Sequence, residues 1–111
     1  RNATVTVCHT RTRDVAAVAR EADILVSAAG VLGSLTGDYV RPGQIVVDVS
    51  INWDENKPNA RGGLGAIAGD AVFDQVEPVV EAITPVPGGV GAVTTSVLIG
   101  HVVEAAGRMA R

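Results

Sequence analysis

Two prolines and three glycines fall within seven residues, 85–91, and a helix-like run follows them to the end of the chain. Pro85 and Pro87 each fix φ and bias Thr84 and Val86 towards extended backbone. Gly88, Gly89 and Gly91 carry no Cβ, so the chain there can adopt unusual angles and lie flat against a ligand. Residues 91–110 then read as a helix. Its first turn presents free N–H groups and the positive end of a dipole, a cradle for an anionic or polar group. A stiff connection with few side chains suits a ligand-facing wall; the plain alternative is an ordinary Gly/Pro connection.

The remainder of the chain has to supply a scaffold for that loop. Its 111 residues suffice for one domain. Residues are 47% hydrophobic but only 3% aromatic, so the core must be built from Val, Ala, Ile and Leu. That aliphatic, β-branched bias suits a parallel sheet buried on both faces. A net charge of −3 and the lack of any Lys/Arg run argue against nucleic acid or an anionic membrane as partners. No apolar stretch approaches the roughly 18 residues of a membrane helix, and no secretory signal is evident. Cys8 is the one cysteine, which excludes an internal disulfide and fits a reducing compartment. Met109 is the only methionine, and a strand pattern begins almost at Arg1, so the sequence is expected to be a piece of a longer protein.

Residues 3–8 alternate and are rich in Thr and Val, a strand pattern. Residues 9–13 form a polar, basic turn. A helix is expected over residues 14–22, with Thr12 as N-cap and Asp14 in the first turn. Residues 24–29 are nearly all apolar, as in a central parallel strand, and Gly30 ends them. Residues 34–40 suggest one loose helical turn, and Arg41, Pro42 and Gly43 a tight turn. A third strand covers 45–49. Residues 52–69, with Pro58 and several glycines, read as an irregular surface excursion. A short helix over 70–76 and a short strand within 79–84 precede the loop. This alternation predicts an α/β, Rossmann-like doubly wound parallel sheet with right-handed crossovers. Such a fold normally carries a central first strand followed by a glycine-rich phosphate turn. Neither precedes residue 3, so residues 1–111 read as a partial NAD(P)-binding domain, incomplete at its N-terminal side.

The turn after the first expected strand bears on cofactor choice. In dinucleotide folds an acidic residue there binds the ribose 2′-hydroxyl of NAD, whereas Arg and small hydroxyl residues favour the 2′-phosphate of NADP. Residues 9–13 hold Thr10, Arg11 and Arg13 and no carboxylate. Arginine–phosphate hydrogen bonds are of the stronger, charge-assisted kind. NADP is therefore the expected cofactor, against the alternative of a solvated basic turn. Ser27 to Gly30 close a strand with small residues, which either leave room for a cofactor or permit close helix packing. Asp48 is expected to order the loop that follows it, and Ile51 to pack near a nicotinamide ring. His9 and His101 have no second ligand at metal spacing. Cys8 reads as a buried, inert thiol. Trp53 and Tyr39 have no partners that would make a stacking platform. No complete acid–base or nucleophilic set appears, and the one lysine, Lys57, falls in the irregular stretch. Catalytic groups are expected outside these residues.

Four motifs occur in order and at fitting separations: residues 4–12 (TVTVCHTRT), 43–52 (GQIVVDVSIN), Gly69-Asp70, and 83–91 (ITPVPGGVG). Together they resemble the C-terminal, cofactor-binding part of the bifunctional methylenetetrahydrofolate dehydrogenase/methenyltetrahydrofolate cyclohydrolase family, over nearly the whole chain. The resemblance implies a cytoplasmic, homodimeric enzyme of one-carbon metabolism. Such an enzyme oxidises 5,10-methylenetetrahydrofolate with NADP and hydrolyses the methenyl product to 10-formyltetrahydrofolate. It implies that Thr10 contacts the 2′-phosphate region and that the backbone of Ile51 meets the nicotinamide end. It also implies that Pro87, Gly88, Gly89, Val90 and Gly91 line the folate site, with the family's catalytic Tyr and Lys in another domain. Two small departures are Ser50, where the family usually has Gly, and Ala92, where it often has Pro. A non-catalytic dinucleotide-binding module, or an NAD(P)-dependent oxidoreductase of another substrate class, are the alternatives to this function.

Overall fold

The computed structural model describes residues 2–110; Arg1 and Arg111, the two ends of the expected domain, lie outside the described residues. The elements are α1 (Val15–Glu21), β1 (Ile24–Ser27), a short 3-10 turn (Gly37–Tyr39), β2 (Ile45–Asp48), β3 (Asn52–Pro58), β4 (Leu64–Ala68), α2 (Phe73–Val76), β5 (Ala82–Ile83) and α3 (Val90–Met109). β1, β2 and β5 form a parallel sheet in the order β1-β2-β5, with Ile24 beside Ile45 and Ile45 beside Ala82. This is the Rossmann-like α/β arrangement that the alternation predicts.

One face of that sheet carries the core. Val46 is fully buried and is joined by Leu35, Val40 and Val76, with Leu25, Tyr39, Val80 and Ile83 packed around them. The opposite face is open among the described residues: Ile24 and Val26 are 61% and 60% exposed. β2, rather than β1, holds the middle of the sheet. The continuous apolar run at 24–29 therefore marks a strand at the side of the described sheet.

α1 begins within one residue of its expected start, but its cap differs. Asp14, not Thr12, is its N-cap, accepting from the Ala17 N–H at 3.3 Å. The Thr12 hydroxyl instead accepts from the His9 N–H, closing the turn before the helix. At the other end of α1 the Gln44 amide donates to the carbonyls of Ala19 and Ala22, both at 2.8 Å. Arg41 donates to the carbonyls of Arg20 and Ala22. These side chains satisfy the carbonyls that a helix leaves unpaired at its C-terminus, and they fix that terminus beside the start of β2.

Four further expectations need correction. Residues 3–8 form no strand: they make no ladder among the described residues and are exposed throughout. An alternating pattern supplies strand propensity, but a strand exists only when a neighbour takes its hydrogen bonds. Cys8 lies in this stretch and is exposed, not buried. Residues 52–69 are not irregular; they fold as the antiparallel β3–β4 hairpin, with Trp53 opposite Ile67 and a register shift between Asp54 and Pro58. The Asn59 side chain replaces a tight-turn signature there, its carbonyl accepting from the N–H groups of Arg61 and Gly63. Finally, α3 has a mean hydropathy of 1.4 and is long and apolar enough, by length and composition, to cross a membrane. His101, Glu104 and Arg108 interrupt the letters without lowering the average enough to exclude it.

Candidate functional site: the cleft at the carboxyl edge of the sheet

In open α/β sheets, ligands bind in the crevice beyond the carboxyl ends of the strands. Here β1 ends at Ser27, β2 at Asp48 and β5 at Ile83, and the proline–glycine loop leaves directly from β5. A cleft of about 230 Å³ opens at this edge. One wall is the loop after β2, residues 48–51; another is Ile67 of β4; the third is residues 85–89 with the first turn of α3. Sequence-predicted Ile51, Pro87, Gly88, Gly89 and Gly91 therefore converge on one space, with Ile51 68% exposed. Val90 does not line it.

The loop's form follows from its composition. Gly88 has a φ of +93°, a left-handed angle that costs side-chain-bearing residues strain. A Cβ on Gly89 would overlap the backbone carbonyl oxygen of Pro85. A Cβ on Gly91, by contrast, meets nothing within 4 Å. Gly89 thus permits the loop to close on itself, whereas Gly91 keeps the cleft wide. The Val86–Pro87 peptide bond is cis. At the root of the loop, the Thr84 N–H donates to the Val46 carbonyl at 3.1 Å, and the Thr84 hydroxyl accepts from the Asp48 N–H at 2.9 Å.

Two buried carboxylates organise the strand ends. Asp48 is 3% exposed and accepts from the N–H groups of Ser50 (3.2 Å) and Ala71 (2.9 Å), so it orders the loop as expected. Asp70 is fully buried and has the larger role. Its Oδ2 accepts from the hydroxyls of Ser27 (2.9 Å) and Ser50 (2.8 Å) and from the Ala29 N–H (2.8 Å). Its Oδ1 accepts from the Val31 N–H (3.0 Å) and the Asn52 amide (3.1 Å). One side chain therefore fastens the loop after β1, the loop after β2 and the segment leading to α2. Burial alone would raise its pKa, but the hydrogen bonds from Ser50, Asn52, Ser27 and the Ala29 N–H outweigh it and hold the carboxyl below its ordinary value of 3.8.

Asp70 is the residue that sequence reasoning undervalued. The signal that could have found it is a carboxylate between Gly69 and an apolar run, at the carboxyl edge, in a chain whose strand ends carry small hydroxyl residues. Gly69 is small because a Cβ there would run into the Asp48 carboxylate. The small residues of 27–30 accordingly serve this internal anion: Ser27 and the Ala29 N–H are already engaged by Asp70. The Ser50 hydroxyl also accepts from the Gly30 N–H at 3.1 Å.

Thr10, Arg11 and Arg13 lie apart from the cleft walls, all exposed, in the turn that enters α1. The Arg11 N–H donates to Nδ1 of His9 at 3.1 Å, and the Thr12 N–H to the His9 carbonyl at 2.9 Å, so His9 is a turn-closing residue. Among the described residues, neither guanidinium enters an ion pair. Because the C-terminus of α1 sits beside the start of β2, this turn lies at the end of α1 remote from the amino edge of the sheet.

A family model described as "Tetrahydrofolate dehydrogenase/cyclohydrolase, NAD(P)-binding domain" matches residues 1–110. The bifunctional protein FolD of Carboxydothermus hydrogenoformans is 55% identical over 104 residues, covering 94% of this chain and 34% of the relative. The FolD of Nocardia farcinica is 50% identical over 107 residues, covering 96% of this chain and 35% of the relative. Among solved structures, a Trypanosoma brucei methylenetetrahydrofolate dehydrogenase-cyclohydrolase, complexed with NADP cofactor and inhibitor, superimposes with a TM-score of 0.84 at 39% identity. That match covers 98% of this chain and 37% of the other. The Campylobacter jejuni FolD gives a TM-score of 0.80 at 42% identity, covering 96% and 35%. The chain thus spans about a third of the length of the curated relatives it matches. With its sheet, its carboxyl-edge cleft and its proline–glycine loop in place, the chain belongs to the NAD(P)-binding domain family of the tetrahydrofolate dehydrogenase/cyclohydrolases.

Proposed function

We propose that this chain is the cofactor half of a folate-binding cleft. The polypeptide that carries it oxidises 5,10-methylenetetrahydrofolate with NADP and hydrolyses 5,10-methenyltetrahydrofolate to 10-formyltetrahydrofolate. The observation that carries this reading is the convergence of Ile51 with Pro87, Gly88, Gly89 and Gly91 on one cleft at the carboxyl edge. An exposed apolar side chain faces a wall almost free of side chains, a shape suited to two flat rings lying side by side.

The chain's chemistry fits NADP. Two exposed guanidinium groups and the Thr10 hydroxyl stand at the turn before α1, with no carboxylate among residues 9–13 to repel a 2′-phosphate. NADP bound in this cleft would supply a hydride acceptor for the folate bridge carbon. The chain's own part is to bind and orient. Arg11, Arg13 and Thr10 would hold the phosphate end, the Ile51 loop would seat the nicotinamide end, and Pro87, Gly88, Gly89 and Gly91 would keep the pterin close to it. Holding two reactants at reacting distance supplies much of such a barrier reduction without any covalent step. Acid–base groups for the hydrolysis would come from outside this chain. On the same family ground we infer a cytoplasmic homodimer.

The test uses the full-length protein. NADP reduction should depend on methylenetetrahydrofolate. Arg11→Ala with Arg13→Ala should raise the KM for NADP by about tenfold or more while leaving that for NAD nearly unchanged, because only the former loses charge-assisted bonds to phosphate. No folate-dependent reduction of either nucleotide, or equal losses on both, would defeat the assignment.

A further inference from the structure

We propose that Lys57 is the positioning residue that sets the width of the cleft, by tying the β3–β4 hairpin to the proline–glycine loop. The Lys57 ammonium donates to the Ile67 carbonyl at 2.7 Å and to the Val86 carbonyl at 3.1 Å. Ile67 and Val86 both line the cleft, from different walls. The first belongs to the hairpin, whose strands pair only with each other; the second belongs to the loop leaving β5. Among the described residues, no strand ladder joins the two walls. One cation with two of its three donors on carbonyls does.

Local structure makes this reach possible. Pro58 pairs with Leu64, and the register shifts between Asp54 and Pro58, so Lys57 sits in the irregular part of β3. From there its ammonium reaches the carbonyl of Ile67 on β4 and that of Val86 on the loop. Among the described residues no carboxylate forms an ion pair with Lys57. Its charge is spent on two backbone dipoles, and a charged donor makes those bonds stronger than a neutral one could. An ammonium is a compact point donor; the carbonyls fix where it sits, and it fixes them in return.

This inference rests on the reading of residues 87–91 as the folate-facing wall, and it assigns the residue that holds that wall at the right distance from Ile67. In the full-length protein, Lys57→Met keeps the apolar stem and removes both bonds. The KM for methylenetetrahydrofolate should rise about tenfold, the equivalent of one charge-assisted hydrogen bond, while the Kd for NADP stays within about twofold. Lys57→Arg retains donors and charge and should recover most of the loss. Unchanged folate KM in Lys57→Met would overturn the proposal. So would parallel losses for folate and NADP that Lys57→Arg does not rescue, since that marks a general defect in folding. Should Lys57→Met fail to fold, Lys57→Gln, which is uncharged and shorter, is read in the same two ways. Hydrogen exchange of the peptide spanning residues 84–98 separates this proposal from the functional one: it should quicken in Lys57→Met whether or not folate is the substrate. Unaltered exchange there would sink the Lys57 assignment by itself, whereas a wild-type protein inactive with folate would sink only the functional reading.

Discussion

Asp70 shows what a single buried charge can do. An isolated carboxylate in such a place would neutralise itself or unfold its surroundings. Here three side chains and three backbone N–H groups supply donors, so the charged form is the one the fold prefers. Since its folded pKa lies below the ordinary 3.8, its stabilisation is complete above that unfolded value and is lost as pH falls through the lower, folded one. Asp70→Asn replaces an acceptor oxygen by an NH2 that faces other donors. Such hydrogen bonds to a charged group contribute about 1.5–3 kcal/mol each. The variant of the full-length protein should therefore lose about 3 kcal/mol at neutral pH in urea unfolding. Its stability should also fall less steeply than wild type between pH 4 and more acid conditions, about where carboxylates titrate. Equal acid slopes in the two proteins would remove Asp70 from its role as organiser of the strand ends.

Among the elements, those specified by local pattern were legible in the sequence and those specified by a distant partner were not. β2 is four aliphatic and acidic residues between a Pro–Gly turn and the loop at Ser50, and α3 follows a glycine-rich start; each was placed within a residue or so of its observed bounds. The β3–β4 hairpin was missed because Asn59 makes its turn through side-chain hydrogen bonds in place of a two-residue turn signature. Residues 3–8 were over-read because strand propensity carries no information about whether a neighbour exists. The site divides in the same way. The loop from Pro85 to Gly91 announces itself through composition, whereas Asp70 and Lys57 act through contacts 10 to 43 residues away. The loop's glycines allow a direct comparison. Gly91→Ala places a methyl in open space and should leave stability unchanged or raise it by up to about 1 kcal/mol, because alanine restricts the unfolded chain. Gly89→Ala drives a methyl into the Pro85 carbonyl and should cost about 1–3 kcal/mol, the usual range for overpacking. Denaturation midpoints of the two full-length variants decide between them; a Gly89→Ala protein as stable as Gly91→Ala would mean that the loop closes differently.

At the scale of the whole molecule, apolar surface is distributed unlike that of a self-sufficient domain. The described chain has a radius of gyration of 16.7 Å, where a compact domain of this length has about 13 Å. The excess comes with α3, none of whose residues is buried, although Val97, Leu98, Ile99, Val102 and Val103 are 49–66% exposed along it. The open face of the sheet adds Ile24 and Val26. Two apolar surfaces, on a helix and on a sheet, are each of the kind that natural domains cover. What holds the remainder together is a core of a few aliphatic side chains around Val46 and the polar ties of Asp48, Asp70 and Gln44. Hydrophobic burial contributes roughly 25 cal/mol per Å², so a chain that leaves this much aliphatic area in water gives up a large part of its driving force. The 111-residue segment expressed alone should therefore bind a hydrophobic dye, self-associate as concentration rises, and melt over a broad range. The same residues within the full-length protein should do none of these. Calorimetry and dye titration on both, side by side, make the comparison: a sharp, concentration-independent transition of the isolated segment with no dye bound would mean that the exposed helix and sheet face contribute nothing that another surface must supply.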